Sequence, residues 1–155
     1  MYQKVLVPLD GSELAECVLP HLETIVGGCG LQNVTFFRVV KPFYPVGDSL
    51  GDTINAADVV SINEDAVASS EDYLKKLTER VKYPGVKVRW EVVKGNEAES
   101  ITEYAKNNEV DLIIIATHGR SGVSRWVWGS VADRVLRSAC VPVLIVRAPG
   151  CVPGF

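Results

Sequence analysis

The sequence predicts an α/β protein, built on a parallel sheet with helices on both of its faces. Short apolar runs of strand length alternate along the whole chain with longer segments of helical periodicity. The run at positions 112–115, Leu-Ile-Ile-Ile, is typical of a strand that is buried on both faces, as parallel strands are. The resulting order β-α-β-α-β-α-β-α-β favours right-handed crossovers between neighbouring parallel strands.

The first strand is predicted at positions 4–9, where Val-Leu-Val forms the centre. Asp10-Gly11-Ser12 then turns the chain into a helix, which Ser12 is expected to cap. Pro20 predicts a kink or a local break in this helix, because proline removes a backbone donor. The glycines at positions 27, 28 and 30 are expected to end it.

The second strand is predicted at positions 34–40. The segment 41–61 that follows is long for a connection inside a compact domain. Such a segment is usually a lid, a partner surface or disordered, and the sequence leaves these alternatives open. A polar helix is predicted at positions 63–82, and Tyr83-Pro84-Gly85 ends it.

The third strand is predicted to be half-buried, because apolar residues alternate with charged ones: Val86, Val88, Trp90 and Val92 are the apolar positions. Gly95-Asn96 leads into a third helix, whose inward positions are Ala98, Ile101, Tyr104 and Ala105. The last helix is predicted to begin at Ser130, a good N-cap, with apolar positions Val131, Ala132, Val135, Leu136 and Ala139. The final strand is predicted at 142–147, so that one domain spans 1–148 and a tail spans 149–155.

Composition indicates an ordinary globular protein: of 155 residues, 47% are hydrophobic and 23% are charged. No apolar run approaches the roughly 20 residues that span a bilayer, and no signal core follows the N-terminus, so a cytoplasmic location is predicted. The net charge of −3 and the dispersed basic residues disfavour nucleic-acid binding. The four cysteines have no metal-ligand spacing and are expected to be free thiols, and no metal site is predicted.

The loop between the fourth strand and the last helix is the strongest candidate for a functional site. A strand that feeds a glycine-bearing loop and then a helix N-terminus presents unpaired N–H groups, which favour an anion such as phosphate. Gly119 and Gly129 would let the backbone approach such a ligand closely. An ordinary strand-to-helix loop is the alternative. Asp10 lies at the same edge of the sheet and can accept hydrogen bonds from a nucleoside, or form a local Asx turn.

These residues resemble a known family. Ala116, two residues, Gly119, nine residues, Gly129 and Ser130 are similar to the nucleotide motif of the universal stress proteins, which has glycine at its first position. Positions 5–12, Val-Leu-Val-Pro-Leu-Asp-Gly-Ser, resemble that family's opening strand and acidic turn. The resemblance covers nearly the whole chain. It implies a five-stranded parallel sheet of order 3-2-1-4-5 sandwiched by four helices, an adenine nucleotide alpha hydrolase-like, Rossmann-like fold in which strands one and four share a crevice.

The resemblance also implies a ligand and a site. The ligand would be ATP, or AMP or ADP, with Mg²⁺ accompanying the phosphates. Asp10 and the neighbouring backbone would contact the nucleoside, the main chain at the end of strand two would contact adenine, and the glycine-bearing loop with Arg120 would hold the phosphates. The implied nucleotide-binding residues are Pro8, Leu9, Asp10, Val39, Ala116, Gly119, Arg120, Gly129, Ser130 and Val131. A homodimer through the last strand is implied as well, with Val143 and Ile145 as contacts and an unknown protein as a further partner.

The predicted function is therefore that of a dimeric, nucleotide-dependent stress sensor or regulator without catalytic residues. One alternative is a nucleotide-free dimeric interaction module, which Ala116 in place of glycine favours. Another is a slow ATP hydrolase, although the sequence has no Walker lysine and no evident nucleophile beside a base. A phosphoacceptor receiver domain is disfavoured, because a single Asp10 follows strand one and Val93-Lys94 follows strand three.

Overall fold

The computed structural model describes residues 2–45, 55–117 and 130–147 of the chain. The strands are β1 (Lys4–Pro8), β2 (Asn33–Val40), β3 (Lys87–Lys94), β4 (Leu112–Ala116) and β5 (Val143–Val146). The helices are α1 (Leu19–Cys29), α2 (Ala56–Arg80), α3 (Glu97–Asn107) and α4 (Ser130–Ser138), and a short 3-10 helix (Ala15–Val18) precedes α1. In the described part of the chain no helix is both long enough and apolar enough to cross a membrane.

The strands form one five-stranded sheet in the order β3-β2-β1-β4-β5, and every neighbouring pair is parallel. This confirms the predicted sheet. The ladder between β1 and β2 runs from Lys4↔Asn33 to Pro8↔Phe37. The ladder between β1 and β4 contains only Val5↔Leu112 and Leu6↔Ile113, so these two strands are not paired at their carboxyl ends. The sheet is therefore open at the place where the loops after β1 and β4 leave it.

The two faces of the sheet carry separate apolar clusters. The first cluster joins one face to α1 and α2, and its buried members include Val5, Val7, Val34, Phe36, Leu112, Ile114, Leu22, Leu74 and Leu77. The second cluster joins the other face to α3 and α4, and includes Leu6, Phe37, Ile113, Ile115, Ala98, Ile101, Ala132 and Val135. Successive residues of β1, β2 and β4 therefore point to opposite faces and are buried on both, as the apolar runs predicted.

The start and end of the first helix differ from the prediction. The Ser12 hydroxyl oxygen does accept a hydrogen bond from the Ala15 amide (3.2 Å), but the 3-10 helix that begins at Ala15 has Leu14 at its N-cap, so Ser12 does not cap α1. The predicted break is present, since Pro20 lies in the first turn of α1, where its missing N–H costs little. Gly27 and Gly28 do not end the helix as expected. It continues to Cys29, and Gly30 ends it with a left-handed φ of 65°.

Helix α2 begins seven residues earlier than the predicted position 63, at Ala56. A capping box explains the early start, because the Asp58 amide donates to Asn55 Oδ1 (2.9 Å) and the Asn55 amide donates to Asp58 Oδ2 (3.3 Å). The predicted 41–61 loop is therefore partly helical, and its positions 46–54 lie outside the described residues, as do position 148 and the predicted tail 149–155.

Two of the apolar positions that the sequence assigned to β3 and α4 are exposed in the structure. Trp90 is 36% exposed because β3 is an edge strand, while its neighbours Val88 and Val92 pack against the first cluster. Leu136 is 43% exposed on α4, beside the buried Val135. The expectation of free thiols is confirmed for the described Cys17, Cys29 and Cys140.

Asp111 joins the beginnings of β1 and β4. Its carboxylate accepts hydrogen bonds from the backbone amides of Lys4 (2.7 Å) and Gln3 (2.8 Å), and these two bonds lower the pKa of Asp111. A carboxyl group whose pKa is lower in the folded than in the unfolded protein stabilises the fold when it is ionised. This stabilisation is fully present above the unfolded pKa, about 4, and is lost as pH falls through the folded pKa.

We therefore expect Asp111→Asn to be less stable than the wild type by about 1 kcal/mol at pH 7. The expected loss is small because solvent screens the charge of the largely solvated carboxylate. The difference should be smaller at about pH 3 than at pH 7, because the stability from a lowered pKa is lost as pH falls through the folded pKa. Urea unfolding at both pH values measures this, and a difference that stays constant would contradict the assignment.

Candidate functional site

A crevice of about 640 Å³ lies at the carboxyl edge of the sheet, within the usual range for small-molecule sites. The ends of β1, β2 and β4 form its floor, and the first turns of α3 and α4 and the middle of α2 form its walls. Its lining comprises Pro8, Leu9, Asp10, Ala15, Phe37, Arg38, Val39, Val40, Lys41, Ala66, Ser69, Ser70, Glu97, Ile101, Ile115, Ala116, Thr117, Ser130, Val131 and Ala132.

The crevice brings together most of the residues that the sequence selected. Pro8, Leu9, Asp10, Val39, Ala116, Ser130 and Val131 all line it, although they come from four separate parts of the chain. Gly119, Arg120 and Gly129 lie outside the described residues. The open junction between β1 and β4 therefore collects both candidate groups, the acidic turn and the helix N-terminus, in one place.

Asp10 lines the crevice and also forms the Asx turn that the sequence left open as an alternative. Its Oδ1 accepts hydrogen bonds from the Ser12 amide (2.9 Å) and the Ser12 hydroxyl (2.6 Å). Gly11, between them, has a φ of 80°, which a residue with a Cβ adopts only under strain. The turn fixes the position of the carboxylate at the crevice.

The main chain of Val39 faces the crevice, as hydrogen bonds on either side of it show. The Phe37 carbonyl accepts from the Leu9 amide on the β1 side (2.9 Å), and the Val40 carbonyl accepts from the Gly95 amide on the β3 side (3.0 Å). Peptide groups of a parallel strand alternate between its two neighbours, so the N–H and C=O of Val39 point to the β1 side. Because β1 ends opposite Phe37, these two groups lie beyond its end.

Ala116 and α4 form the opposite side of the crevice. The side chain of Ala116 packs against the first cluster, on the same face as Leu112 and Ile114. The last helix begins at Ser130, as predicted, and Ser130 is exposed at its first position. The amides of this first turn have no partner within the helix and carry the positive end of its dipole, which favours an anion.

Sequence reasoning missed the wall that α2 supplies. Arg38 lies over the ring of Tyr73 with 5.6 Å between its guanidinium carbon and the ring centroid. The Tyr73 hydroxyl donates to Glu16 Oε1 (3.0 Å), and burial together with the Glu16 carboxylate raises the pKa of Tyr73. The signal available in the sequence was the pair of small residues Ser69-Ser70 in α2, which allows close approach.

Two glycines give a matched test of this geometry. A Cβ added to Gly11 would lie 1.9 Å from Arg38 Nη1 and would require the strained φ of 80°. Gly27 lies inside α1 with nothing within 4 Å of such a Cβ. We expect Gly11→Ala to destabilise the protein by about 1 to 2 kcal/mol and Gly27→Ala to stabilise it by up to about 1 kcal/mol. Urea unfolding of both variants measures this, and equal effects would contradict the described turn.

Comparison with known proteins identifies relatives over nearly the whole chain. A model of the Universal stress protein family matches residues 1–147. Universal stress protein MJ0531 of Methanocaldococcus jannaschii is 31% identical over 150 residues, which cover 96% of this chain and 84% of that protein. The match therefore includes every described strand and helix.

Solved structures show the same fold. Protein MJ0577 superimposes with a TM-score of 0.79 at 23% identity, covering 97% of this chain and 99% of that one. A universal stress protein family protein from Arabidopsis thaliana, solved with AMP bound, gives a TM-score of 0.62 at 15% identity and covers 96% and 93%. The universal stress protein from Archaeoglobus fulgidus in complex with dAMP gives 0.55 at 18% identity, covering 93% and 97%.

Proposed function

Because the chain belongs to the universal stress protein family, we propose that it binds an adenine nucleotide in the crevice and acts as a dimeric, nucleotide-dependent stress sensor or regulator. The observation that carries this proposal is the convergence of the Asp10 turn, the main chain of Val39 and the start of α4 on one crevice. AMP and dAMP in two structural neighbours support the choice of an adenine nucleotide. The cytoplasmic location stays a prediction.

The three groups are spaced for a mononucleotide. Adenine would meet the N–H and C=O of Val39, and the ribose would meet Asp10 and the backbone of Pro8 and Leu9. The phosphates would meet Ser130 and Val131 in the first turn of α4. Gly129, which precedes Ser130, and Gly119 and Arg120, earlier in the same loop, would complete the phosphate site. Since β2, β1 and β4 are neighbours spaced about 4.8 Å apart, the base end and the phosphate end are separated by roughly 10 Å.

ATP and Mg²⁺ extend this proposal. The described residues contain no group of three His, Cys, Asp or Glu side chains that would hold a metal. Magnesium would accompany the phosphates and be held mainly by their oxygens and by water. A site of this kind binds and positions the nucleotide, and hydrolysis, if it occurs, would be slow.

The position of Ala116 supports a retained site over the nucleotide-free alternative. Its side chain packs against the first cluster. The Thr117 amide donates to the Val146 carbonyl on the β5 side. Because peptide groups of a parallel strand alternate between its two neighbours, the main chain of Ala116 points to the β1 side. The methyl group is partly buried against the first cluster, and the main chain on the β1 side stays available to the ligand. We propose that alanine is tolerated here.

The test is a calorimetric titration of ATP, ADP and AMP with Mg²⁺ into the purified protein, with Gly129→Asp as the control. We expect saturable binding that the control abolishes, because a carboxylate in the loop repels phosphate. If no nucleotide gives heat or thermal stabilisation while the protein is folded, the nucleotide-free module replaces the proposal. Phosphate release followed over hours in the same samples tests the slow hydrolase.

Dimerisation through β5 is the second part of the proposal. In the order of the described strands β5 is an edge, so one side of its backbone has no strand beside it. Val143 and Ile145 pack partly against the second cluster, and Leu144, on the opposite face, is 36% exposed. A second copy pairing along this strand would cover the backbone edge and these three side chains.

Leu144→Lys is expected to shift the protein from dimer to monomer, because a charge on an apolar edge strand opposes strand pairing. Val60→Lys is the matched control, since Val60 is 55% exposed on α2 and lies outside the proposed interface. Sedimentation at several protein concentrations measures the oligomeric state. A wild type that stays monomeric at all concentrations, or a dimer that both variants leave intact, would contradict the proposed interface.

A further inference from the structure

We propose that Arg38 and Lys41 form a second anion-binding subsite at the nucleoside end of the crevice. The corresponding ligand class is adenine nucleotides that carry a phosphate on the ribose 2′ or 3′ oxygen as well as at the 5′ position. This inference rests on the proposed nucleotide site and adds a preference among its ligands. Both side chains line the crevice at the end of β2, away from the α4 terminus that would hold the 5′ phosphate.

The guanidinium of Arg38 is held in place before any ligand arrives. Arg38 lies on the face of β2 that Val34 and Phe36 bury in the first cluster, so its side chain extends toward α2. There it stacks on Tyr73 at 5.6 Å. The ring is itself fixed by the hydrogen bond from its hydroxyl to Glu16 (3.0 Å). A planar cation that is positioned in this way loses little conformational entropy when it binds phosphate.

The guanidinium also lies beside the acidic turn. Arg38 Nη1 is 1.9 Å from the point where a Cβ on Gly11 would be, so it passes directly over the residue that follows Asp10. A ribose bound to Asp10 would place one of its oxygens within reach of Arg38. In dinucleotide-binding folds an acid at such a position binds ribose hydroxyls, and a nearby arginine accommodates a 2′-phosphate. This crevice offers both side chains together.

Lys41 adds a second positive charge three residues further along the chain. Its side chain is exposed, and no ion pair to it is found among the described residues. Glu97 also lines the crevice, but it belongs to α3, which packs on the opposite face of the sheet from Arg38. The crevice thus has two ends that favour anions, with Asp10 between them, which fits a nucleotide with phosphates at both ends of its ribose.

The test compares AMP with adenosine 2′,5′-bisphosphate and adenosine 3′,5′-bisphosphate by calorimetry. At least one bisphosphate is expected to bind the wild type about 10-fold or more tightly than AMP, as one charge-assisted contact would give. Arg38→Met and Lys41→Met are expected to bring this ratio close to one. Arg38→Lys, which keeps the charge, should retain part of it. Lys76→Met removes an exposed charge of α2 outside the crevice and should leave both affinities unchanged.

The titrations distinguish a failure of the Arg38–Lys41 subsite from a failure of the nucleotide site on which it rests. If the folded wild type binds none of the three nucleotides, the nucleotide site itself is overturned, and the subsite with it. If AMP binds and neither bisphosphate binds more tightly, the nucleotide site stands and the subsite is overturned. A bisphosphate preference that survives in both Met variants also overturns it. Thermal unfolding of each variant confirms that the affinities compare folded proteins.

Discussion

Replacing Ser130 with aspartate is expected to weaken ATP binding by roughly 100-fold or more while leaving the protein folded. Ser130 is the exposed first residue of α4 and lines the crevice. A carboxylate there would occupy the positive end of the helix and repel the phosphates of the ligand. The same carboxylate is favourable for the helix, since aspartate is among the residues preferred at helix N-termini. Calorimetry with ATP and urea unfolding measure the two effects separately.

Ser130→Asn is the matched control, because asparagine is similar in size to aspartate, also suits the helix start and carries no charge. It should retain ATP affinity within about 10-fold of the wild type. Adenosine, which has no phosphate, should bind Ser130→Asp as it binds the wild type. Equal ATP affinity of the two variants would show that the phosphates are bound elsewhere, and a loss of adenosine binding would show a general disruption of the crevice.

The sheet was predictable from the sequence because its strands are apolar runs with few competing interpretations. Four consecutive apolar residues at 112–115 can be buried only with helices on both faces, and the structure places them so. Element boundaries were less predictable. Gly27 and Gly28 lie inside α1 although glycine disfavours helix, because packing of Leu22 and Ile25 onto the core outweighs a local cost of about 1 kcal/mol per glycine.

The candidate site was predictable where backbone topology alone decides it. Asp10 follows the carboxyl end of β1, and Ser130 follows the loop after β4. Because β1 and β4 are neighbouring parallel strands, both residues lie at the same edge of the sheet whatever their side chains do. The contribution of α2 was not predictable in this way. Whether Arg38 points to the crevice depends on the face of β2 it occupies and on the position of Tyr73 in a helix 35 residues later, which only the packed structure gives.

Phe36→Ala is expected to destabilise the protein by about 3 to 5 kcal/mol, the usual cost of removing a fully buried aromatic ring from a core. Phe36 has no exposed surface, lies in β2 between β1 and β3, and belongs to the first cluster beneath α1 and α2. Such a loss is a large fraction of the 5 to 15 kcal/mol that typically separates a folded domain from its unfolded chain.

Tyr44→Ala is the control for this core substitution, because Tyr44 is 76% exposed and should change stability by less than about 0.5 kcal/mol. Urea unfolding of both variants gives the comparison. Because Phe36 is two residues before Arg38 on the same face of β2, loosening this cluster should also release the guanidinium from its position over Tyr73. A change below about 1 kcal/mol in Phe36→Ala would mean that this face is not close-packed, and the preorganised subsite would lose its physical basis.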